Sequence, residues 1–299
     1  MRKILLAILI VLFLGTALAA EKTGPKVFIS VDMEGIWGVV QGRQTSADFP
    51  EYSAARKWMV EDVNAVVAGL FEAGAFEVVV NDSHGSMRNI VADELDPRAG
   101  LISGSPKPLS MMQGIDDTFD ACIFVGYHAR AGTAEAILDH TYSGATIRSI
   151  KVNGREMPEL GINAAIAGYF NVPVVMLSGD TETCAQAKSV LGEDLVAVAV
   201  KDAVGRYAAA NLPQEVARKR LKEGAKEALL RRAKMPVFRP NAPYTFELDF
   251  NTSAQAEMPM LVPNVKKTGS RGVAFSSADY LEGFKLMRAL IALAGISYN

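Results

Sequence analysis

The sequence predicts an α/β fold: a mostly parallel sheet with helices on both faces, plus a smaller C-terminal α+β portion. Three observations predict it. Short, continuous apolar runs recur between Val27 and Val200, and strands buried on both faces read this way. Helical patterns alternate with those runs, as the connections between parallel strands do. Beyond residue 205 the pattern changes to a long charged helix, a proline-containing link and a strand of alternating polarity.

The elements follow in order. Met1-Arg2-Lys3, an apolar stretch from Ile4 to Leu14 and Ala17-Leu18-Ala19-Ala20 describe a secretory signal peptide, cleaved after Ala19 or Ala20. An uncleaved anchor is the alternative, but the stretch is shorter than the ~20 residues of a spanning helix. No cysteine follows the site, which argues against a lipoprotein. The expected location is periplasmic or extracellular. Residues 21–205 then form a metal-binding α/β catalytic domain, and 206–299 the smaller portion, serving assembly and core completion.

Val27–Val31 reads as a buried strand. Tyr52–Ala75 reads as an amphipathic helix, with Trp58, Val63, Val66, Val67 and Leu70 near helical spacing and Gly74 at its end. Strands follow at Glu77–Asn81, Cys122–Val125 and Ile147–Val152, the last counted with the main sheet. Leu160–Tyr169 is a helix, stopped before Asn171-Val172-Pro173. Val174–Ser178 is a strand, Thr181–Val190 a helix and Leu195–Val200 another strand. Pro213–Lys234 is the charged helix, and Pro236, Pro240 and Pro243 mark the link. Tyr244–Phe250 alternates as a half-buried strand does. Ser277–Ala294 is a terminal helix.

Composition narrows the function. The hydrophobic share is 49%, enough for one large core or two smaller ones. The formal charge of −2 becomes −4 when Arg2 and Lys3 leave (−2 − 2). Near-neutral charge gives no support for a nucleic-acid partner, or for a membrane partner once the signal is removed. Two cysteines make no disulfide framework; Cys122 in a strand and Cys184 in a helix read as buried free thiols.

The chain has three histidines, His84, His128 and His140. His84 follows Val78-Val79-Val80-Asn81-Asp82-Ser83, and His128 follows Ile123-Phe124-Val125-Gly126-Tyr127. Val27-Phe28-Ile29-Ser30-Val31 runs into Asp32-Met33-Glu34-Gly35. Three strands thus deliver metal-type side chains at their carboxyl ends, the edge where open α/β sheets bind ligands. Asp32 and Glu34, two apart, point to one side if the chain stays extended. They raise each other's pKa unless a cation lies between them. Alone, the pair also fits capping or surface carboxylates. Asp82 or Ser83 is placed to orient the His84 imidazole; a turn histidine with local hydrogen bonds is the plain alternative. His140 lies in a loop between Gly132 and Gly144, where it can act as general acid/base or hold an oxyanion, or simply face solvent. Glu159 starts a helix, where the dipole favours a carboxylate whatever its task. Asn163 shares its helix face.

Together, Asp32, Glu34, His84, His128 and Glu159 are a mixed oxygen and nitrogen set suited to two zinc ions, one carboxylate bridging. The sequence has no G-x-S-x-G elbow, no P-loop, no G-x-G-x-x-G after the first strand and no H-E-x-x-H.

The motifs resemble those of the bacterial zinc-dependent D-aminopeptidases linked to dipeptide-transport operons. Ser30-Val31-Asp32-Met33-Glu34-Gly35 looks like their opening S-x-D-x-E-G motif. The similarity continues through Val80–His84, Leu101–Gly104, Gly114–Phe119, Gly126–Arg130, Glu159–Ala164 and Lys267-Thr268-Gly269. It implies a dinuclear zinc peptidase with ligands at Asp32, Glu34, His84, His128 and Glu159 and a catalytic His140. It also implies a ring-shaped homo-oligomer, a decamer of two stacked pentamers. The spacing from His128 to His140 is slightly longer than in the family, and the signal sequence departs from its cytoplasmic members.

The leading expectation is an exported zinc-dependent aminopeptidase. It would hydrolyse short peptides, such as those with N-terminal D-alanine, by metal-activated water. A metal-dependent phosphoesterase or amidohydrolase could use the same ligands, although only Arg88 and Arg130 flank the motifs. A non-enzymatic exported peptide- or metal-binding protein is the third reading; it leaves His140 without a task.

Overall fold

In the computed structural model the structure describes residues 23–296; the expected signal peptide, 1–20, lies outside them. In chain order the elements begin with β1 (Lys26–Val31), the single turn α1 (Gly42–Thr45), α2 (Tyr52–Glu72), β2 (Glu77–Asp82) and β3 (Ala99–Ile102). Next come β4 (Ala121–Val125), β5 (Ile147–Val152), β6 (Arg155–Glu156), α3 (Glu159–Tyr169), β7 (Val174–Asp180) and α4 (Thr181–Leu191). The chain continues with β8 (Val196–Gly205), β9 (Ala208–Asn211), α5 (Gln214–Arg231), β10 (Tyr244–Phe250), β11 (Lys266–Lys267), β12 (Gly272–Ser277) and α6 (Tyr280–Ala294).

Seven strands form one sheet in the order β3-β2-β1-β4-β7-β8-β9, parallel except for β9 at one edge. Every residue of β4 and β7 is buried, as expected of strands covered on both faces. Helices supply that cover. α4 and α5 pack against β7 and β8, and α5 also packs along α2. The two helices approach closely because Gly69 has no side chain; a Cβ there would lie 2.1 Å from the Lys222 carbonyl oxygen.

The second sheet, β11-β12-β10-β5-β6, is antiparallel. Along β10 buried and half-buried residues alternate, the pattern of a sheet with one wetter face. α3, buried from Glu159 to Gly168, touches α4 beside the large sheet and α6 beside the small one. One contiguous hydrophobic cluster includes residues of both sheets.

Two elements lie across the division drawn from sequence. Ile147–Val152, assigned there to the main sheet, pairs with β10 in the antiparallel sheet. Its Arg148, Ser149 and Lys151 explain this, since a fully covered parallel strand could not bury them. Conversely α5, placed in the C-terminal portion, packs on the large sheet, with Gly224 set against Val198 and Met176. Cys122 and Cys184 are buried free thiols. Among the described residues, no helix is long and apolar enough to cross a membrane.

One buried charge on α2 makes stability depend on pH. Asp62 Oδ2 accepts the Trp37 N–H at 3.0 Å, but Oδ1 has no hydrogen bond and lies 4.0 Å from Arg218 Nε. Burial raises the Asp62 pKa to about 7, against the opposing effects of Trp37 and Arg218. A carboxyl whose folded pKa is raised gives stability that is complete below its unfolded value, near 4, and lost as pH rises through 7. Wild type should therefore lose up to about 4 kcal/mol relative to Asp62→Asn between pH 4 and pH 8. Urea unfolding at several pH values measures the difference, and parallel profiles would refute it.

Candidate metal centre

β1 lies between β2 and β4. The chain order reverses direction across the sheet there, which opens a crevice at the strands' carboxyl ends. The loops leaving these strands are locked at one level. Asp32 N donates to Val125 O, Ser83 N to Val31 O and Gly35 N to Gly126 O, each at 2.8 Å. Gly35 is required by this nesting: a Cβ would sit 2.0 Å from the Tyr127 carbonyl oxygen. Asp32, Glu34, His84 and His128 therefore arrive from three adjacent strands. His140 comes from the connection between β4 and β5, and Glu159 is the first residue of α3. The Tyr142 N–H donates to Glu159 Oε2 at 2.5 Å and ties these last two segments together.

The structure brings all six sequence-selected residues into one cluster. His84 Nδ1 lies 3.1 Å from both Asp32 Oδ1 and Glu34 Oε2. His128 Nε2 lies 3.4 Å from Asp32 Oδ2 and 3.7 Å from Glu159 Oε2. Donor atoms of Asp32, Glu34 and His128 all fall within 4.8 Å of one another, as do those of His128, His140 and Glu159. The two groups share His128. The His128 and His140 rings stack with centroids 3.9 Å apart.

Each imidazole has one nitrogen committed to a backbone carbonyl. His84 Nε2 faces Thr45 O, His128 Nδ1 faces Ala129 O and His140 Nδ1 faces Leu138 O, all at 2.9 Å. A carbonyl only accepts, so the ring nitrogen must donate, and in the neutral ring the other nitrogen carries a lone pair. For His84 and His128 that lone pair faces carboxylate oxygens. The arrangement is repulsive unless a proton or a cation intervenes. Asp32 Oδ2 and His128 Nε2 are buried without any hydrogen-bond partner. Orphaned acceptors turned toward one point, on imidazoles fixed from behind, are the pattern of metal ligation, so these residues fit zinc.

The charges agree with this reading. Burial, and then Glu34, raise the Asp32 pKa to about 7. Burial alone would lower His128, but Glu159, Asp32 and Glu34 raise it to about 10. His84 is likewise raised, against burial, by Glu34 and Asp32. His140 differs: burial and the positive His128 lower it, so it stays a free base at neutral pH.

The neighbours of the cluster were less legible. Asp82 and Ser83, which the sequence offers to orient His84, do not touch its ring; Thr45 O does. Asp82 is occupied by the amide N–H groups of Asn89 and Ile90 and shapes the loop after His84. Ser83 joins Ser30, which also bonds Tyr127. Asn163 links Tyr127 and Tyr142. Lys201 was missed altogether, although a lone lysine after Val198-Ala199-Val200 is a signal. It is buried, and its ammonium donates to the carbonyls of Glu34, Ile36 and Val39. A cavity of about 280 Å³ adjoins the cluster, lined by Asp32, His84, His140 and Glu159 together with Ser110, Tyr142 and Arg288.

Comparisons with known proteins cover the stretch of chain that carries these residues. The model of peptidase family M55, described as D-aminopeptidase, matches residues 26–289. A D-aminopeptidase of Bacillus subtilis (strain 168) is 37% identical over 271 residues, covering 90% of this chain and 97% of the relative. The solved structure of the Zn-dependent D-aminopeptidase DppA from Bacillus subtilis, described as a self-compartmentalizing protease, is 36% identical with a TM-score of 0.89. That match covers 92% of this chain and 99% of the solved one. With a family match across nearly the whole described chain, this protein belongs to the D-aminopeptidase family of metallopeptidases.

Proposed function

We propose that this chain is an exported zinc-dependent aminopeptidase that removes N-terminal D-amino acids from short peptides. The observation that carries the reading is the set of three imidazoles. Each is held by a backbone carbonyl, and those of His84 and His128 turn the free nitrogen toward buried carboxylates. Asp32, Glu34, His84, His128 and Glu159 would hold two ions, with Asp32 reaching both sides: Oδ1 toward His84 and Oδ2 toward His128. Bound zinc supplies Lewis acidity, polarising a carbonyl and making water acidic near neutral pH. His140 accepts a proton from the attacking water and returns it to the leaving amine. Its lowered pKa suits a base, and the Leu138 carbonyl fixes which nitrogen is free. The carboxylates also draw in the substrate's ammonium group.

The relative described as self-compartmentalizing supports assembly into a closed oligomer, such as the ring-shaped decamer expected from the resemblance. Val204 and Tyr207, 70% and 60% exposed on the β8–β9 hairpin, are apolar surface that assembly would cover. The first 20 residues support export, which cell fractionation tests. The test of activity is amino-acid release from paired L- and D-alanyl peptide amides, as purified, after chelation and after zinc is restored. D-selective release that follows zinc is the expected result. L-selective release would overturn the stereochemistry. A zinc-loaded protein that cleaves neither would overturn the peptidase reading in favour of an esterase or a binding protein.

A further inference from the structure

The lining of the cavity beside the metal centre includes groups that the proposed chemistry leaves unused. Arg288 on α6 lines it, half-buried, with its guanidinium carbon 5.1 Å from the centroid of the Tyr142 ring. Among the described residues Arg288 has no carboxylate partner and no hydrogen-bond acceptor. Two other arginines near His140 are committed: Arg130 pairs with Glu156 at 2.8 Å and Arg206 with Asp139. Arg288 is thus a free cation facing the cavity. Ser110 is the second unused group. It is 3% exposed, its Oγ has no hydrogen-bond partner, and it lines the same cavity. Its φ of +50° is a strained conformation for a residue with a side chain, of the kind held at ligand sites.

A buried hydroxyl without a partner and a half-buried guanidinium without an anion are both costly unless a ligand completes them. The charges order that ligand. An ammonium group is drawn to the lining carboxylates Asp32 and Glu159, and an anion is drawn to Arg288. The cavity, about 280 Å³, is at or below the range of about 300–1,000 Å³ for sites that enclose drug-sized molecules. It has room for a peptide of very few residues with opposite charges at its ends.

We infer that Arg288 determines specificity by holding the substrate's C-terminal carboxylate, which makes a free dipeptide the preferred substrate. Ser110 Oγ hydrogen-bonds the peptide backbone between the two ends. The inference rests on the aminopeptidase reading and deepens it. Guanidinium binds carboxylate through two parallel N–H···O bonds, so a C-terminal amide, neutral and lacking one acceptor, is a poorer partner.

The test compares D-alanyl-D-alanine with D-alanyl-D-alaninamide as substrates of the zinc-loaded wild type, Arg288→Met and Arg288→Lys. Methionine keeps an apolar stem against Tyr142 and removes the fork. Wild type should prefer the free acid, and Arg288→Met should lower the acid-to-amide ratio of kcat/KM by about 10- to 100-fold, through KM. Arg288→Lys should restore part of the ratio. An unchanged ratio with both substrates cleaved would overturn the inference alone. If wild type cleaves neither, the aminopeptidase reading fails and binding still decides the role of Arg288. For that, the reduced-amide analogue of D-alanyl-D-alanine is titrated calorimetrically as free acid and as carboxamide. Weaker binding of the acid to Arg288→Met than to wild type would sustain the assignment; equal binding would end it.

Discussion

Asp32→Asn is expected to lower kcat/KM by about 10³-fold or more, because it removes the carboxylate whose two oxygens face His84 and His128 separately. The substitution is nearly isosteric, and the amide oxygen can keep the Met33 N–H bond that Asp32 Oδ1 accepts at 2.9 Å. Loss of fold is therefore not the expected cause. Bound zinc, measured by elemental analysis, should fall with activity. Zinc should raise the Tm of the metal-free wild type, since it binds the folded form, and should raise that of Asp32→Asn much less. His140→Ala supplies the contrast. It should keep its zinc and lose about 10²–10⁴-fold in kcat, the range for a positioned general base. Zinc lost along with activity would make His140 a ligand, since its donor atom also lies within reach of His128 and Glu159. Full activity in Asp32→Asn would exclude the cluster as the reacting centre.

These residues were legible in the sequence because parallel strands announce both their bodies and their ends. Val78, Val80 and Cys122-Ile123-Phe124-Val125 are buried, so the polar residues that follow them mark the sheet's carboxyl edge. Asp32, Glu34, His84 and His128 all follow from that one rule. Glu159 was legible as a helix start. The sequence does not show the strand order that puts β1 between β2 and β4. Nor does it show how far the 140s loop folds back to stack His140 on His128. The short edge strands β3 and β9 and the late β11 and β12 went unread. Ala99–Ile102 has no fully buried residue, and Lys266–Lys267 is exposed, so neither carries an apolar signature. Arg288 and Ser110 are ordinary residues for a helix surface and a loop; only the cavity that they share distinguishes them.

Lys201 shows why the remainder needs a structure. Lys201→Met is expected to destabilise the protein by about 3–5 kcal/mol and to weaken zinc binding as well. Its Nζ lies 2.7 Å from Glu34 O, 2.8 Å from Ile36 O and 2.5 Å from Val39 O. Burial lowers its pKa to about 7, opposed by Asp180, Asp62 and Glu34. Three carbonyl acceptors nevertheless require three N–H donors, which only the ammonium form has. Methionine matches the length of the stem but supplies none. Three carbonyls then lose their donor, and one of them belongs to Glu34 itself. The loop from Asp32 to Val39 would relax toward water, and the carboxylates at its start would lose their fixed position. Urea unfolding reads the first effect and zinc titration the second. A stability loss with unchanged zinc affinity would reduce Lys201 to a packing residue. Loss of both would make the lysine, itself no ligand, the group that holds the metal loop in shape.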